Sequence, residues 1–222
     1  MNRIMNRLLI TLCLLGAALL ATAQNARNCF LKMPDSICPL LTEVNRADFI
    51  DFLDSKMKAQ VTNRLGGQSE MTRLTPRYIH IRMTPQSTWQ MRLLPTSERD
   101  TTRLVICTVT TVAGPAPDSH VAFYTPDWQP LPLSRHLPAQ PELEDFLLPT
   151  ATAPDASFAL REALRQADIL LMQADLSPDA PTLTFRLTTP SYMEREAADT
   201  LAPHLRPAIT YHWKKKRFVQ ER

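Results

Sequence analysis

Residues 103–112 read R-L-V-I-C-T-V-T-T-V, and this run restricts the fold more than any other in the chain. Strand side chains alternate between two faces. Val105, Cys107 and Val109 therefore point one way, and Leu104, Ile106 and Val112 the other. The β-branched content favours strand over helix. A strand apolar on both faces needs cover above and below, which places it at the centre of a sheet.

Its sequence neighbours alternate more simply. Residues 78–83 set Ile79, Ile81 and Met83 against Tyr78, His80 and Arg82. Residues 88–94 set Trp89, Met91 and Leu93 against Thr88, Gln90 and Arg92, and residues 119–125 set Val121 and Phe123 against His120, Ala122 and Tyr124. Turn residues at 84–87 and 114–118 and a polar loop at 95–102 join them, so the reading is a four-stranded antiparallel meander. A helix before it has Asn45 as N-cap, Asp48 at N3, and Val44 with Phe49 as a hydrophobic staple. Phe49, Ile50, Phe52, Leu53 and Met57 form its apolar face, the natural cover for the sheet. Asp48, Asp51 and Asp54 read as a solvated face rather than a cation site.

Seven prolines stiffen the stretch from Pro126 to Pro154, with one helical turn expected at 142–147. A helix then starts near Asp155 or Ser157, with Leu160, Ala163, Leu164 and Ala167 at helical spacing. Residues 169–176 fit a continued helix or a strand. Residues 182–188 turn Leu183, Phe185 and Leu187 inward, and Thr189 with Pro190 opens a helix running to Leu201. Residues 209–219 close the chain as a strand or hairpin, with Lys214, Lys215 and Lys216 at the bend. The fold class is α+β: N-terminal helices packed on a four-stranded antiparallel meander (24–128), a proline-rich connection (129–154), and a second, smaller αβ unit packed on the first (155–222).

Residues 1–23 have the form of a cleaved signal peptide. Arg3 and Arg7 precede an apolar run at 8–20, and Ala21-Thr22-Ala23 supplies small residues before Gln24. The run is shorter than the roughly 20 residues that span hydrocarbon, so no membrane span is expected after cleavage. Cys13 sits inside the run, away from a lipidation position. Losing Arg3 and Arg7 leaves 23 basic against 22 acidic residues, a balance that excludes the cationic footprint of a nucleic-acid binder. Three cysteines remain. Cys107 reads as a small core residue, and Cys29 and Cys38 fit either a short-loop disulfide or two free thiols.

No residue pattern announces catalysis, a cofactor or a metal. Asp118, Ser119 and His120 are triad types, but consecutive strand residues face opposite ways, so Asp118 reads as a turn cap. Gly67-Gln68-Ser69-Glu70-Met71 lacks the second glycine of a nucleophile elbow. Glu142, Glu144 and Asp145 read as solvating charges, and the five histidines lack metal-ligand spacing. Tyr124, Trp128, Tyr211 and Trp213 lie at strand ends beside Lys214–Arg217 and form the candidate binding surface for an envelope protein or a glycan. The plainer reading of the two tryptophans is that they close the core.

Several phrases resemble one family. They are M-P-D-S-I-C-P-L-L-T at 33–42, N-R-A-D-F-I-D-F at 45–52, T-W-Q-M-R-L-L-P at 88–95, D-S-H-V-A-F-Y-T-P-D-W at 118–128 and the closing I-T-Y-H-W-K-K-K-R-F. Together they are similar to domain of unknown function family 3256, a group of uncharacterised secreted proteins of Bacteroidetes. The resemblance implies a periplasmic or extracellular location and brings no activity. At fold level it resembles the architecture of β-lactamase-inhibitor-like periplasmic proteins. The expectation is a non-enzymatic binding or interaction module of the cell envelope. Its rival is a hydrolase of an envelope or extracellular polymer whose acidic residues converge only in the fold.

Overall fold

The computed structural model describes residues 25–97 and 102–221. The signal segment lies outside the described residues. Helix α1 (Ala26–Leu31) is capped by Asn25, whose side chain accepts from Asn28 N–H. Cys29 is therefore in a buried helix, and Cys29, Cys38 and Cys107 are all free. Helix α2 (Glu43–Asp54) starts earlier than expected, because Thr42 and Asn45 cap one another reciprocally at 3.1 Å in both directions. Asn45 is thus N3 rather than the cap, and Val44 is 66% exposed and staples nothing. Phe49 and Ile50 carry the buried face, while Met57 is exposed.

Seven strands follow in one antiparallel sheet, in sequence order: β1 (Gln60–Thr62), β2 (Gln68–Thr75), β3 (Tyr78–Thr84), β4 (Ser87–Pro95), β5 (Leu104–Ala113), β6 (Pro117–Tyr124) and β7 (Pro130–Leu131). The expected four strands are its β3–β6, so the four-stranded meander is corrected to seven strands. In β1 and β2 the buried residues are Val61, Ser69 and Met71 among polar neighbours, which conceals their alternation. Asn63 shapes their connection: its Oδ1 accepts from Leu65 and Gly67 N–H, and Gly66 takes φ +79°.

Both faces of β5 are covered, as its pattern requires. Leu104 and Ile106 join Ile79, Ile81, Trp89 and Met91 under α1 and α2. Val105, Cys107 and Val109 join a second core with Leu183, Phe185, Ile209, Trp213 and Phe218. Val112 extends beyond the helices and is 55% exposed.

That second core faces a four-stranded antiparallel sheet of order β11-β10-β9-β8: β8 (Met172–Leu176), β9 (Thr182–Leu187), β10 (Ile209–Lys214) and β11 (Arg217–Gln220). The proline-rich stretch supplies β7 and two short helices, α3 (Leu133–His136) and α4 (Leu143–Phe146). Helix α5 (Phe158–Gln166) is capped by Ser157, and α6 (Arg195–Leu201) packs on it through a small separate cluster around Leu160, Ala163 and Leu201. Thr189 does not open α6. Its hydroxyl bonds the backbone of Ile169 and Leu171 instead, and Thr189–Ser191 is a 3₁₀ turn.

Candidate functional site

The four aromatic residues expected to form one surface are divided between two cores. Trp128 is 3% exposed in the helix-covered core, takes φ +62°, and donates from Nε1 to the Cys29 carbonyl at 2.8 Å. Tyr124 is half-buried against it, ring centroids 5.4 Å apart. Tyr211 and Trp213 belong to the core between the sheets, 4% and 8% exposed. Tyr211 meets Phe185 edge-on, and burial raises its pKa above the usual tyrosine value.

Trp213 nonetheless reaches a cleft of about 520 Å³. One wall is the segment after β4 (Pro95, Thr96, Ser97), another is Pro181 before β9, and the third is the β10–β11 hairpin with Lys215 and Lys216. Trp213 ties these walls together. Its backbone N–H donates to the Pro181 carbonyl at 2.9 Å, and its indole Nε1 donates to the Pro95 carbonyl at 2.7 Å. Phe123 and His136 stack behind the indole at 6.3 and 5.7 Å, and Phe218 meets it edge-on at 5.1 Å. The floor is therefore fixed by packing and hydrogen bonding.

The hairpin at the cleft mouth is unusual. Lys214 pairs with Arg217, leaving Lys215 and Lys216 as a two-residue turn with φ +48° and +68°. Positive φ at both central positions defines a type I′ turn, which favours Asn-Gly and disfavours residues with a long side chain. His136 holds the turn: its Nδ1 lies 2.7 Å from the Lys216 carbonyl. A carbonyl only accepts, so Nδ1 carries the proton and Nε2 is a lone pair, which is buried without a partner. Burial lowers the His136 pKa below the ordinary histidine value, and nearby Arg135 adds to the effect against the opposing Lys216 bond.

Four of the residues weighed for catalysis, Asp118, Ser119, Asp145 and Ser69, have structural partners. Asp118 and Ser119 sit in β6 and accept from the Met172 and Ala174 N–H groups of β8, at 3.1 and 2.9 Å. Asp118 is thus a cap for a strand edge rather than for a turn. Asp145 accepts from the Glu142 N–H at 2.9 Å to cap α4. Ser69 is buried and donates to the Met83 carbonyl. Asp54 pairs with Arg27. A His212–Glu221 pair, 3.0 Å apart, is partly exposed and does not line the cleft. Among the described residues no group of three or more His, Cys, Asp or Glu could hold a metal ion. None of their helices is long and apolar enough to cross a membrane.

Sequence reasoning marked Trp213 and the lysine run but missed Pro95, Thr96, Ser97 and Pro181. Nothing local distinguishes those four, since they become neighbours only when β4 and the β8–β9 turn meet the hairpin.

The family model described as Protein of unknown function (DUF3256) matches residues 18–218. A solved structure, a domain of an uncharacterized protein from Porphyromonas gingivalis W83, is similar at 32% identity and TM-score 0.75. The match covers 87% of this chain and 98% of that one. Among curated proteins none matches.

Proposed function

This chain belongs to the DUF3256 family of proteins of unknown function, and from that premise we propose an exported, non-enzymatic binding module of the cell envelope whose ligand seats in the Trp213 cleft. The observation that carries the reading is the cleft itself. It has an apolar floor of Trp213, Pro95 and Pro181 and a polar rim, and the described residues that line it carry no carboxylate, imidazole or thiol. Concave, pre-formed, mostly apolar sites with a few polar groups are the usual form of a ligand site. General acid–base hydrolysis needs a proton-transfer pair within reach of the substrate, and no such pair is among the described residues that line this cleft. Export rests on the signal-like segment at 1–23.

The test is fractionation of cells making the full-length chain, followed by native mass spectrometry of the purified protein. The expected result is an envelope-fraction protein beginning near Gln24, with a bound mass that Trp213→Leu loses. A cytoplasmic protein with Met1 retained would contradict export. Hydrolysis of envelope polymer by the purified chain would contradict the binding assignment.

A further inference from the structure

We infer that the cleft takes an anionic ligand, a carboxylate or phosphate carried on an apolar body. This rests on the binding reading above and adds the chemistry of the occupant.

Charge is the first argument. Lys214, Lys215, Lys216 and Arg217 are four consecutive exposed cations on one hairpin tip. Among the described residues none of them has a carboxylate within ion-pair distance. Elsewhere among the described residues Arg27, Arg46, Arg82 and Arg186 have carboxylate partners, and the cations without one, such as Lys32, Arg77 and Arg206, stand singly in the sequence, so the tip differs by gathering four in a row. Four adjacent like charges repel, and a bound anion relieves that repulsion while gaining charge-assisted hydrogen bonds.

Backbone geometry is the second argument. Lysine at both positive-φ positions of a type I′ turn costs free energy that Asn-Gly would not. The turn sets Lys215 and Lys216 among the residues that line the cleft, and the His136 bond to the Lys216 carbonyl helps fix it there.

Shape is the third. The floor offers Pro95, Pro181 and an edge of Trp213, with Thr96 and Ser97 lining the side. At 8% exposure Trp213 has no open ring face on which a neutral sugar could stack, but its edge and the prolines suit an aliphatic or aromatic group. Volume is adequate: about 520 Å³ lies within the range of small-molecule sites.

The experiment is a ¹H–¹⁵N NMR titration of the purified protein, reading the Trp213 indole N–H. The probes are 2-naphthyl phosphate, 2-naphthoate and neutral 2-naphthylmethanol. The same titrations are run on Lys215→Asn/Lys216→Gly, which supplies the residues a type I′ turn favours and so keeps the hairpin. Both anions are expected to shift the signal saturably and to bind about tenfold tighter than the alcohol, a gap the double variant abolishes. The tighter of the two anions identifies the head group as phosphate or carboxylate. Equal affinity for alcohol and anions overturns the anionic inference while leaving the binding cleft standing. Anion affinity unchanged in the variant overturns it as well. A Trp213 signal that no probe moves at millimolar concentration overturns the cleft reading itself.

Discussion

One edge of the smaller sheet and one end of it are finished in opposite ways. At the β8 edge, the backbone N–H groups of Met172, Ala174 and Leu176 face the larger sheet, and Asp118, Ser119 and Gln90 accept from them at 3.1, 2.9 and 2.8 Å. Gln90 also donates to Asp175 at 2.9 Å, and Arg186 pairs with the same carboxylate. Polar groups here are spent on one another, and an edge that could recruit a foreign strand is closed. At the β10–β11 tip, two lysines hold strained backbone, four cations have no carboxylate partner among the described residues, and a cleft opens beside them. Along the β8 edge the strand N–H groups of Met172, Ala174 and Leu176 all find acceptors. On the proposed reading, the tip leaves its charges unpaired and carries strain because it holds them for a ligand.

Breaking the stitched edge is expected to cost most. Gln90→Leu removes the acceptor of Leu176 N–H, the partner of Asp175 and a long contact to the Tyr78 hydroxyl, all in a buried setting. A loss of about 3 kcal/mol is expected, measured by urea unfolding. Ser119→Ala strands one buried N–H and the Thr111 hydroxyl, so about 1–2 kcal/mol is expected, with faster hydrogen exchange at the Ala174 amide than elsewhere in β8.

The hairpin sharpens the contrast because its change has the other sign. Lys215→Asn/Lys216→Gly relieves two positive-φ positions and is expected to stabilise the fold by about 1 kcal/mol in the same assay. The smallest effect concerns pH. Buried His136 has a folded pKa below its unfolded value, so the unfolded chain binds more protons between the two. Stability contributed by neutral His136 is therefore present above the unfolded value of roughly 6.5 and is lost as pH falls below it. His136→Phe should shallow the fall in stability between pH 7 and pH 5. His80, also lowered by burial, keeps part of that slope.

The sequence made β3 to β6 legible because their residues alternate or are apolar on both faces, and turn residues separate them. It also made the β10–β11 bend legible, since a lysine run interrupts two apolar stretches. It concealed β1 and β2, where Gln68-Ser69-Glu70-Met71-Thr72-Arg73 has one apolar residue to show the period, and β7, which is two residues starting with proline. The role of Gln90 was hidden for the opposite reason. A glutamine on the polar side of an alternating strand reads as exposed, yet a second sheet buries it to 2%. Trp128 and Trp213 were placed at strand ends, but only long-range contacts with Cys29 and Pro95 turn them into interior clasps. The cleft follows from the same long-range closure.

The most direct test of the account is urea unfolding of the protein and of Lys215→Asn/Lys216→Gly, each with and without saturating 2-naphthyl phosphate. A ligand that binds only the folded state raises stability in proportion to its occupancy. The expected result is a variant more stable than the parent without ligand, and a ligand-induced gain in the parent that the variant lacks. A variant less stable than the parent, or an equal ligand-induced gain in both, would contradict the claim that the hairpin trades stability for an anion site.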